Sequence, residues 1–326
     1  MCQNETAFAP HAGPASAQEP ILRLMTSATA DAPAGAHTNR FGTIRVTGAD
    51  RTGFLQGQLS NDLRLLTPDR PLLAGWANPQ GRLICTAWVI DWQETTWLLL
   101  PQELLETVLN RLRMFVLRSD VRVEIAANAA TTVKLPAQNA DTISEKGSLY
   151  YCFYDESSVT LMTPRIPGMG LRIHASNAAQ PEPGMDAEWA LQAIRAGIPT
   201  IRKQTSGEFV PQMVNLDLLG GISFSKGCYV GQEIVARTQN LGRIKRRMLA
   251  YKVRTAAGAQ PGDPVFGSAG ATAGQIVNSE RSDSEHLELL AVIKLDCLGQ
   301  QLSLRPNGED GLAPLTLPYP VPECAA

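Results

Sequence analysis

The spacing of apolar residues predicts several strands in the first third of the chain. RFGTIRVTGAD (40–50) alternates apolar and polar residues as a strand does, and Asp50 is placed to cap a helix through RTGFLQGQL. LAGWANPQGRLICTAWVIDW (73–92) is typical of two strands joined by a turn at residues 78–81. A further strand is expected at VRVEI, which begins at Val121.

The clearest helical period lies in PQELLETVLNRLRMFVLRSD (101–120). Pro101 suits the first helical position, and Glu103 and Glu106 suit the positive end of the helix dipole. The apolar residues at helical spacing, which we expect to form the buried face, are Leu105, Val108, Leu109, Leu112 and Phe115.

A second helix is predicted in MDAEWALQAIRAGIP (185–199). Asp186 is expected to be its N-cap, and Gly197 and Pro199 are the kind of residues that end a helix. Trp189 lies on this helix. A tryptophan here is most often a core residue, although its flat ring could also receive a ring-shaped ligand.

The helical period disappears after about residue 246. MLAYKVR, DPVFGS, TAGQIVNS, LELLAVIKL and QLSLR are short strand-like runs separated by Gly, Pro, Asn and Asp. This pattern predicts a small all-β barrel or sandwich over residues 246–326, after an α+β body over residues 21–245. Residues 1–20 lack Lys, Arg and any apolar run, so we expect a disordered tail rather than a targeting signal.

The composition is that of an ordinary globular protein, and 326 residues are long enough for two or three domains. The net charge of −2 gives no global attraction to nucleic acid or to a membrane surface. No apolar run approaches the ~18 residues of a membrane span. The six cysteines and four histidines are scattered, so we expect no metal site, no disulfide scaffold and a location in the reducing cytoplasm.

The stretch SFSKGCYVGQEIVART (223–238) concentrates the candidate chemistry. Gly227 and Gly231 would let the backbone approach a ligand closely. If QEIVAR is helical, Cys228 lies near its N-terminus, where the dipole and Lys226 would favour a thiolate. Gln232 and Glu233 could orient a ligand or move a proton. The alternative is a buried structural cysteine before an ordinary helix, with Glu233 only favouring the first turn.

A basic island follows this stretch, with no Asp or Glu between residues 237 and 254. Its members are Arg237, Arg243, Lys245, Arg246, Arg247, Lys252 and Arg254. The island is either a solvated face or a site for a polyanionic ligand such as a phosphate or an RNA backbone. Only Tyr251 supplies an aromatic ring within it, which gives little support to a stacking platform for single-stranded RNA.

KGCYVGQE (226–233) resembles the hallmark of the YgfZ family, folate-binding relatives of the glycine-cleavage T-protein. Similar stretches are VTGADRTGFLQGQLSNDL (46–63), MFVLRSDVRVE (114–124), EWALQAIRAGIP (188–199) and EFVPQMVNLDLLGGISFSKGCYVGQEIVAR (208–237). The resemblance covers about residues 21–320. It implies an α+β, T-protein-like ring of three domains: two interleaved α+β domains and a C-terminal small β barrel.

The resemblance also implies a cofactor, tetrahydrofolate or a one-carbon derivative, in the central channel. It places Trp189 and Phe41 as the aromatic pair that holds the folate, and Phe41 keeps a ring but lacks an indole N–H. Arg237 and the island become candidates for the carboxylates of the folate tail. The working residues it implies are Cys228, Lys226, Tyr229, Gln232 and Glu233.

The family's role is the maintenance of iron–sulfur enzymes, including a radical tRNA methylthiotransferase. The resemblance therefore implies a cytoplasmic protein that supports tRNA modification through the Cys228 thiol, with iron–sulfur proteins as partners. A monomer is the default expectation. A folate-dependent aminomethyltransferase is the alternative. That activity uses an aspartate in a hairpin, where this chain has Leu83, Ile84 and Cys85. Direct binding of tRNA is a third hypothesis, which rests on the basic island alone.

Overall fold

The structure, a computed structural model, describes residues 41–126, 130–135, 149–176, 182–240 and 244–322. The predicted tail over residues 1–20 lies outside this range, as does Arg243. In the described part of the chain, the strands form three antiparallel sheets, and a few helices pack with them. No helix in that part is long and apolar enough to cross a membrane.

The first sheet has the spatial order β2–β3–β4–β1–β5. Its strands are β1 (Phe41–Thr47), β2 (Leu72–Ala77), β3 (Leu83–Trp92), β4 (Thr95–Pro101) and β5 (Arg122–Ile125). The predicted hairpin over residues 73–92 is confirmed by the pairing of β2 with β3. Its turn is closed by Gly81, whose N–H donates to the Asn78 carbonyl at 2.8 Å and whose φ is +68°.

Two helices pack with this sheet, α1 (Arg51–Gln56) and α2 (Leu105–Phe115). Asp50 occupies the N-cap position of α1, but the prediction that its side chain caps the helix is wrong. Its carboxylate accepts the Asp120 N–H at 2.8 Å and so ties α1 to the chain before β5. Pro101 belongs to the end of β4 rather than to α2, which begins after a short 3₁₀ turn at Gln102–Leu104.

The buried face of α2 is confirmed at four of its five predicted residues, because Leu105, Val108, Leu109 and Leu112 are all buried. Phe115 is the exception, with 43% of its surface exposed. The helix ends at Phe115, and Val116 turns away with ψ of 85°. A periodic pattern predicts burial only as far as the neighbouring sheet extends beneath the helix.

The second sheet has the order β6–β9–β8–β7. Its strands are β6 (Ala130–Lys134), β7 (Tyr151–Tyr154), β8 (Ser158–Met162) and β9 (Met169–His174). The predicted second helix forms as α3 (Met185–Arg195), and Gly197 follows it with φ of +66°. Asp186 is not the N-cap, which is Gly184; the Asp186 carboxylate instead accepts the Thr132 hydroxyl at 2.9 Å.

The third sheet has the order β11–β12–β13–β10–β14. Its strands are β10 (Arg246–Arg254), β11 (Pro264–Phe266), β12 (Thr272–Arg281), β13 (His286–Lys294) and β14 (Ala313–Leu315). The QLSLR run at residues 301–305 is not a strand, since Ser303 forms only isolated bridges to Phe266 and Gly311. The sheet is built wholly from residues after 245, while the division of the chain into domains stays a prediction.

One apolar cluster joins elements of all three sheets. It includes Trp88 of β3, Leu161 of β8, Trp189 of α3 and Val292 of β13. These side chains are distant in sequence, so the cluster forms only when the sheets and α3 assemble.

A buried ion pair holds β10 against the segment before the candidate site. Arg247 donates to both carboxylate oxygens of Asp217, at 2.7 and 2.9 Å, and to the Gln212 carbonyl at 2.8 Å. Both charged side chains are almost fully buried. Such a pair is expensive to break from one side, because the remaining charge stays buried without its partner.

We therefore expect Arg247→Met to lower the free energy of unfolding by about 3–5 kcal/mol. The double variant Arg247→Met with Asp217→Leu should recover most of this loss, because it removes both buried charges. Urea unfolding followed by circular dichroism measures both. A single variant within about 0.5 kcal/mol of wild type would contradict this account.

Candidate functional site

The helix predicted at QEIVAR forms as α4 (Gln232–Asn240), and the Cys228 loop leads into it. Gln232 fixes the entry to the helix: its side-chain oxygen accepts the Tyr229 N–H at 3.1 Å, and its own N–H donates to the Tyr229 carbonyl at 3.2 Å. Cys228 thus precedes the first helical residue by four positions on an ordered turn.

Lys226 anchors the loop from within. Only 5% of its surface is exposed, and its ammonium donates to the carbonyls of Gln56, Leu59 and Asn61 at 2.7, 2.8 and 2.7 Å. An ammonium group has three N–H donors, so these bonds use all of them. Burial lowers the pKa of Lys226 to about 8. Lys226 therefore has a structural role, because its ammonium binds three backbone carbonyls. That it also favours a thiolate at Cys228 stays a prediction.

Backbone and side-chain bonds extend this anchor along the segment Gln56–Asn61. The Ser223 N–H donates to the Ser60 carbonyl at 2.9 Å, and the Val230 N–H donates to the Gly57 carbonyl at 3.2 Å. The Ser60 hydroxyl donates to the Gly221 carbonyl at 2.6 Å. The loop is thus held at both ends against α1 and the residues that follow it.

These partners of the loop were missed by the reasoning from residue chemistry. Gln56, Ser60 and Asn61 carry no reactive group, and they lie more than 150 residues from the loop, as the separations of 159 to 170 positions show. The signal that could have found them is the resemblance itself, because QGQLSN lies within one of the similar stretches, residues 46–63.

The two glycines of the loop have different surroundings. A Cβ at Gly231 would lie 2.6 Å from the Asn78 carbonyl and 3.0 Å from the Gly81 Cα, so this glycine lets the loop pack on the β2–β3 turn. A Cβ at Gly227 would meet nothing within 4 Å. Close approach of an outside molecule therefore remains open at Gly227, whereas the chain's own packing occupies Gly231.

Cys228 is exposed, in contrast to the other cysteines that the structure describes. Cys85 and Cys152 are buried, and Cys297 is partly exposed. Burial raises the pKa of the Cys85 thiol to about 12 and that of Cys152 still further. The interpretation of Cys228 as a buried structural residue is therefore wrong, because its side chain faces solvent.

Three other predicted residues lie around this loop. The Tyr229 ring is half-buried, with the Lys226 Nζ 5.1 Å from its centre, and burial raises the pKa of the Tyr229 hydroxyl to about 12. Glu233 and Arg237 are exposed on α4 and form an ion pair of 2.8 Å with each other, four residues apart. Such an exposed pair contributes little stability and leaves both groups accessible.

The predicted aromatic pair lies in the apolar cluster that joins the sheets. Trp189 is a member of it with 2% of its surface exposed, and Phe41 is partly buried against it. Stacking of a ligand ring on Trp189 therefore requires the surrounding side chains to move. Folate binding by this pair stays a prediction.

Two amide oxygens near this cluster have no hydrogen-bond donor among the residues that the structure describes. They are Gln212 Oε1 and Asn215 Oδ1. Both side chains are fully buried, and their amide N–H groups donate to the carbonyls of Val235 and Met248. The amide N–H of Asn215 also donates to the hydroxyl oxygen of Tyr319 at 3.4 Å. Unpaired buried acceptors fit a ligand that offers N–H donors.

The basic island is not one continuous free surface. Arg247 is buried with Asp217, Arg237 is paired with Glu233, and Arg254 is paired with Glu285 at 3.2 Å. Lys245 and Arg246 are exposed. Among the described residues, no group of three or more His, Cys, Asp or Glu is placed to hold a metal ion.

Removing the Lys226 ammonium should release the loop. We expect Lys226→Met to cost about 3 kcal/mol in unfolding free energy, because three buried carbonyls lose their donor. Urea unfolding measures the loss, and Lys203→Met, at an exposed lysine, is the matched control. Equal stability of the two variants would show that the three bonds are not needed.

Native-state alkylation should separate the cysteines. We expect iodoacetamide to label Cys228 at least about tenfold faster than Cys85 or Cys152, because thiol alkylation requires exposed thiolate. Peptide mapping by mass spectrometry gives each rate, and addition of denaturant should remove the difference. Protection of Cys228 in the native protein would contradict the exposure described above.

Comparison with known proteins identifies relatives with a stated role. The chain is 29% identical to tRNA-modifying protein YgfZ of Hamiltonella defensa over 64% of this chain and 67% of the relative. It is 26% identical to YgfZ of Colwellia psychrerythraea over 86% and 91%, and 29% identical to YgfZ of Escherichia coli O127:H6 over 76% of each. No protein-family model matches the chain.

A solved structure supports the fold. The chain superposes on the glycine cleavage system aminomethyltransferase T of Bartonella henselae with a TM-score of 0.64, covering 86% of this chain and 84% of that one. Sequence identity is 14%, so this likeness concerns the fold. The chain is thus similar over most of its length to the tRNA-modifying proteins YgfZ, and it has the α+β fold of aminomethyltransferase T.

Proposed function

We propose that this chain is a tetrahydrofolate-binding accessory protein that supports tRNA modification by assembling or repairing iron–sulfur enzymes, with Cys228 as the working thiol. The relatives' name, tRNA-modifying protein, supports the role in tRNA modification. The observation that carries the proposal is the exposed Cys228 on a loop whose neighbour Lys226 is bound to three backbone carbonyls.

An exposed thiol on an anchored loop suits chemistry with a large partner. The loop is held at Ser223, Lys226 and Val230, so Cys228 is presented in a defined place without being enclosed. A partner protein can reach the sulfur from solvent, and the open space at Gly227 leaves room for its backbone. A thiolate there could hold a cluster transiently, attack a one-carbon unit or take part in redox exchange.

The folate would be held by the interior of the protein. Phe41 and Trp189 would contact its ring, the amide oxygens of Gln212 and Asn215 would accept its N–H donors, and Arg237 would bind a tail carboxylate. A bound folate supplies a one-carbon carrier. The chain's own residues contribute binding and exclusion of water, since this region is otherwise apolar.

The alternative, an aminomethyltransferase of the glycine-cleavage type, is favoured only by the fold. Its hairpin aspartate has no counterpart here: Leu83, Ile84 and Cys85 are all buried in β3, the first two have no ionisable group, and burial raises the pKa of the Cys85 thiol to about 12. A group that would deprotonate or position an amine is therefore missing from that hairpin.

The test is complementation of cells that lack this protein, with the methylthiolated tRNA nucleoside measured by mass spectrometry. We expect Cys228→Ala to lower the modification at least about tenfold, as loss of an essential nucleophile does. Cys297→Ala, which removes a partly exposed thiol elsewhere, should keep wild-type modification.

Two controls decide how the result is understood. Urea unfolding and tetrahydrofolate binding by calorimetry show whether Cys228→Ala keeps its fold and its cofactor. Full modification by Cys228→Ala would remove the thiol from the mechanism. Absence of tetrahydrofolate binding in the wild-type protein would remove the cofactor from it.

A further inference from the structure

An exposed apolar patch lies at the C-terminal end of α2, far in sequence from the Cys228 loop. Met114 has 69% of its surface exposed, Phe115 43% and Leu117 85%. Single exposed apolar residues are common on proteins, but three within four positions concentrate apolar surface in one place, which favours a partner. We call Met114, Phe115 and Leu117 the α2-end patch.

The patch is set by where the helix stops rather than by loose packing. The last buried residue of α2 is Leu112, and the end of the helix is joined to β5 by Arg113, whose guanidinium donates to the Val123 carbonyl at 2.9 and 3.1 Å. The Asp120 N–H is also bonded, to the Asp50 carboxylate. The backbone on both sides of the exposed apolar residues is therefore held by hydrogen bonds.

Two exposed arginines flank the patch in the sequence. Arg111 lies on the same helical face as Met114 and Phe115, three and four residues before them, and Arg118 directly follows Leu117. Both arginines are exposed, and neither has a hydrogen bond or an ion pair within the part of the chain that the structure describes. Arg113 is the contrast, because its guanidinium already donates two hydrogen bonds to the Val123 carbonyl.

Apolar residues in the centre with arginines at the rim are typical of a protein–protein interface, in which Met, Phe and Arg are enriched. An RNA partner would use the arginines but gains little from Met114 and Leu117, which are aliphatic and provide no stacking face. An anionic membrane would be attracted to the arginines, but the chain as a whole carries a net charge of −2.

We propose that the α2-end patch docks a partner protein through a segment whose apolar side chains are flanked by carboxylates. The apolar side chains would cover Met114, Phe115 and Leu117, and the carboxylates would pair with Arg111 and Arg118. Arginine pairs well with a carboxylate because both groups are planar and form two parallel hydrogen bonds. The patch is separate from the Cys228 loop, so this proposal does not depend on the thiol.

The experiment is photo-crosslinking in living cells with the full chain. p-Benzoylphenylalanine is placed at position 115 or 117, and at Leu298, an exposed leucine elsewhere, as the control. Crosslinked peptides are sequenced by mass spectrometry. We expect positions 115 and 117, but not 298, to capture one protein at a peptide that contains Asp or Glu beside apolar residues.

Charge reversal tests the role of the arginines. Arg111→Glu with Arg118→Glu should lower the crosslink yield at least about fivefold, because opposite charges at a rim speed association and like charges oppose it. Lys245→Glu with Arg246→Glu, the same number of exposed charges elsewhere, should leave the yield unchanged. All these substitutions are at exposed positions, and urea unfolding checks that stability is kept.

The outcomes divide clearly. A captured protein with an acidic, apolar contact peptide, lost on reversal of Arg111 and Arg118, supports the proposal. Capture of RNA or lipid instead, capture of residues 1–40 of the same chain, a yield no higher than at position 298, or a yield unaffected by the reversal overturns it. None of these readouts measures tRNA modification, so failure here leaves the proposed function standing.

Discussion

The three hydrogen bonds of the Lys226 ammonium are the interaction on which the candidate site depends. They bring together a loop and a segment that are separated by 165 to 170 positions along the chain. A buried ammonium is costly unless its donors are satisfied, and here each donor meets a backbone carbonyl. Because those carbonyls belong to the end of α1 and the chain after it, the position of Cys228 is set by that segment as well as by α4.

A contact between two glycines also fixes the position of the Cys228 loop. Gly81 closes the β2–β3 turn, and Gly231 packs against that turn with no room for a Cβ. The loop is therefore fixed by Lys226 on one side of Cys228 and by Gly231 on the other. Between these two points Gly227 and Cys228 are exposed, which separates the structural part of the KGCYVGQE motif from the part that a partner can reach.

Charge that looks uniform in the sequence is divided by the fold into different roles. Arg247 stabilises the packing of β10 through Asp217, and Arg237 and Arg254 lie on the surface beside acidic partners from α4 and from the chain before β13. Arg111 and Arg118, which belong to no obvious run of charge, lie beside exposed apolar side chains and have no partner within the described part of the chain. Sequence proximity therefore did not indicate which cations are available to a ligand.

Local sequence was enough to determine the elements and the motif. The β2–β3 hairpin, α3, α4 and most strands of the third sheet follow from turn residues and from apolar periods, which act over a few positions. The motif KGCYVGQE was recognisable because its residues are contiguous. Tertiary structure alone decided that the Lys226 ammonium binds three backbone carbonyls and that Phe115 is exposed. The physical reason is that burial and hydrogen-bond partners depend on residues far along the chain, which no local period records.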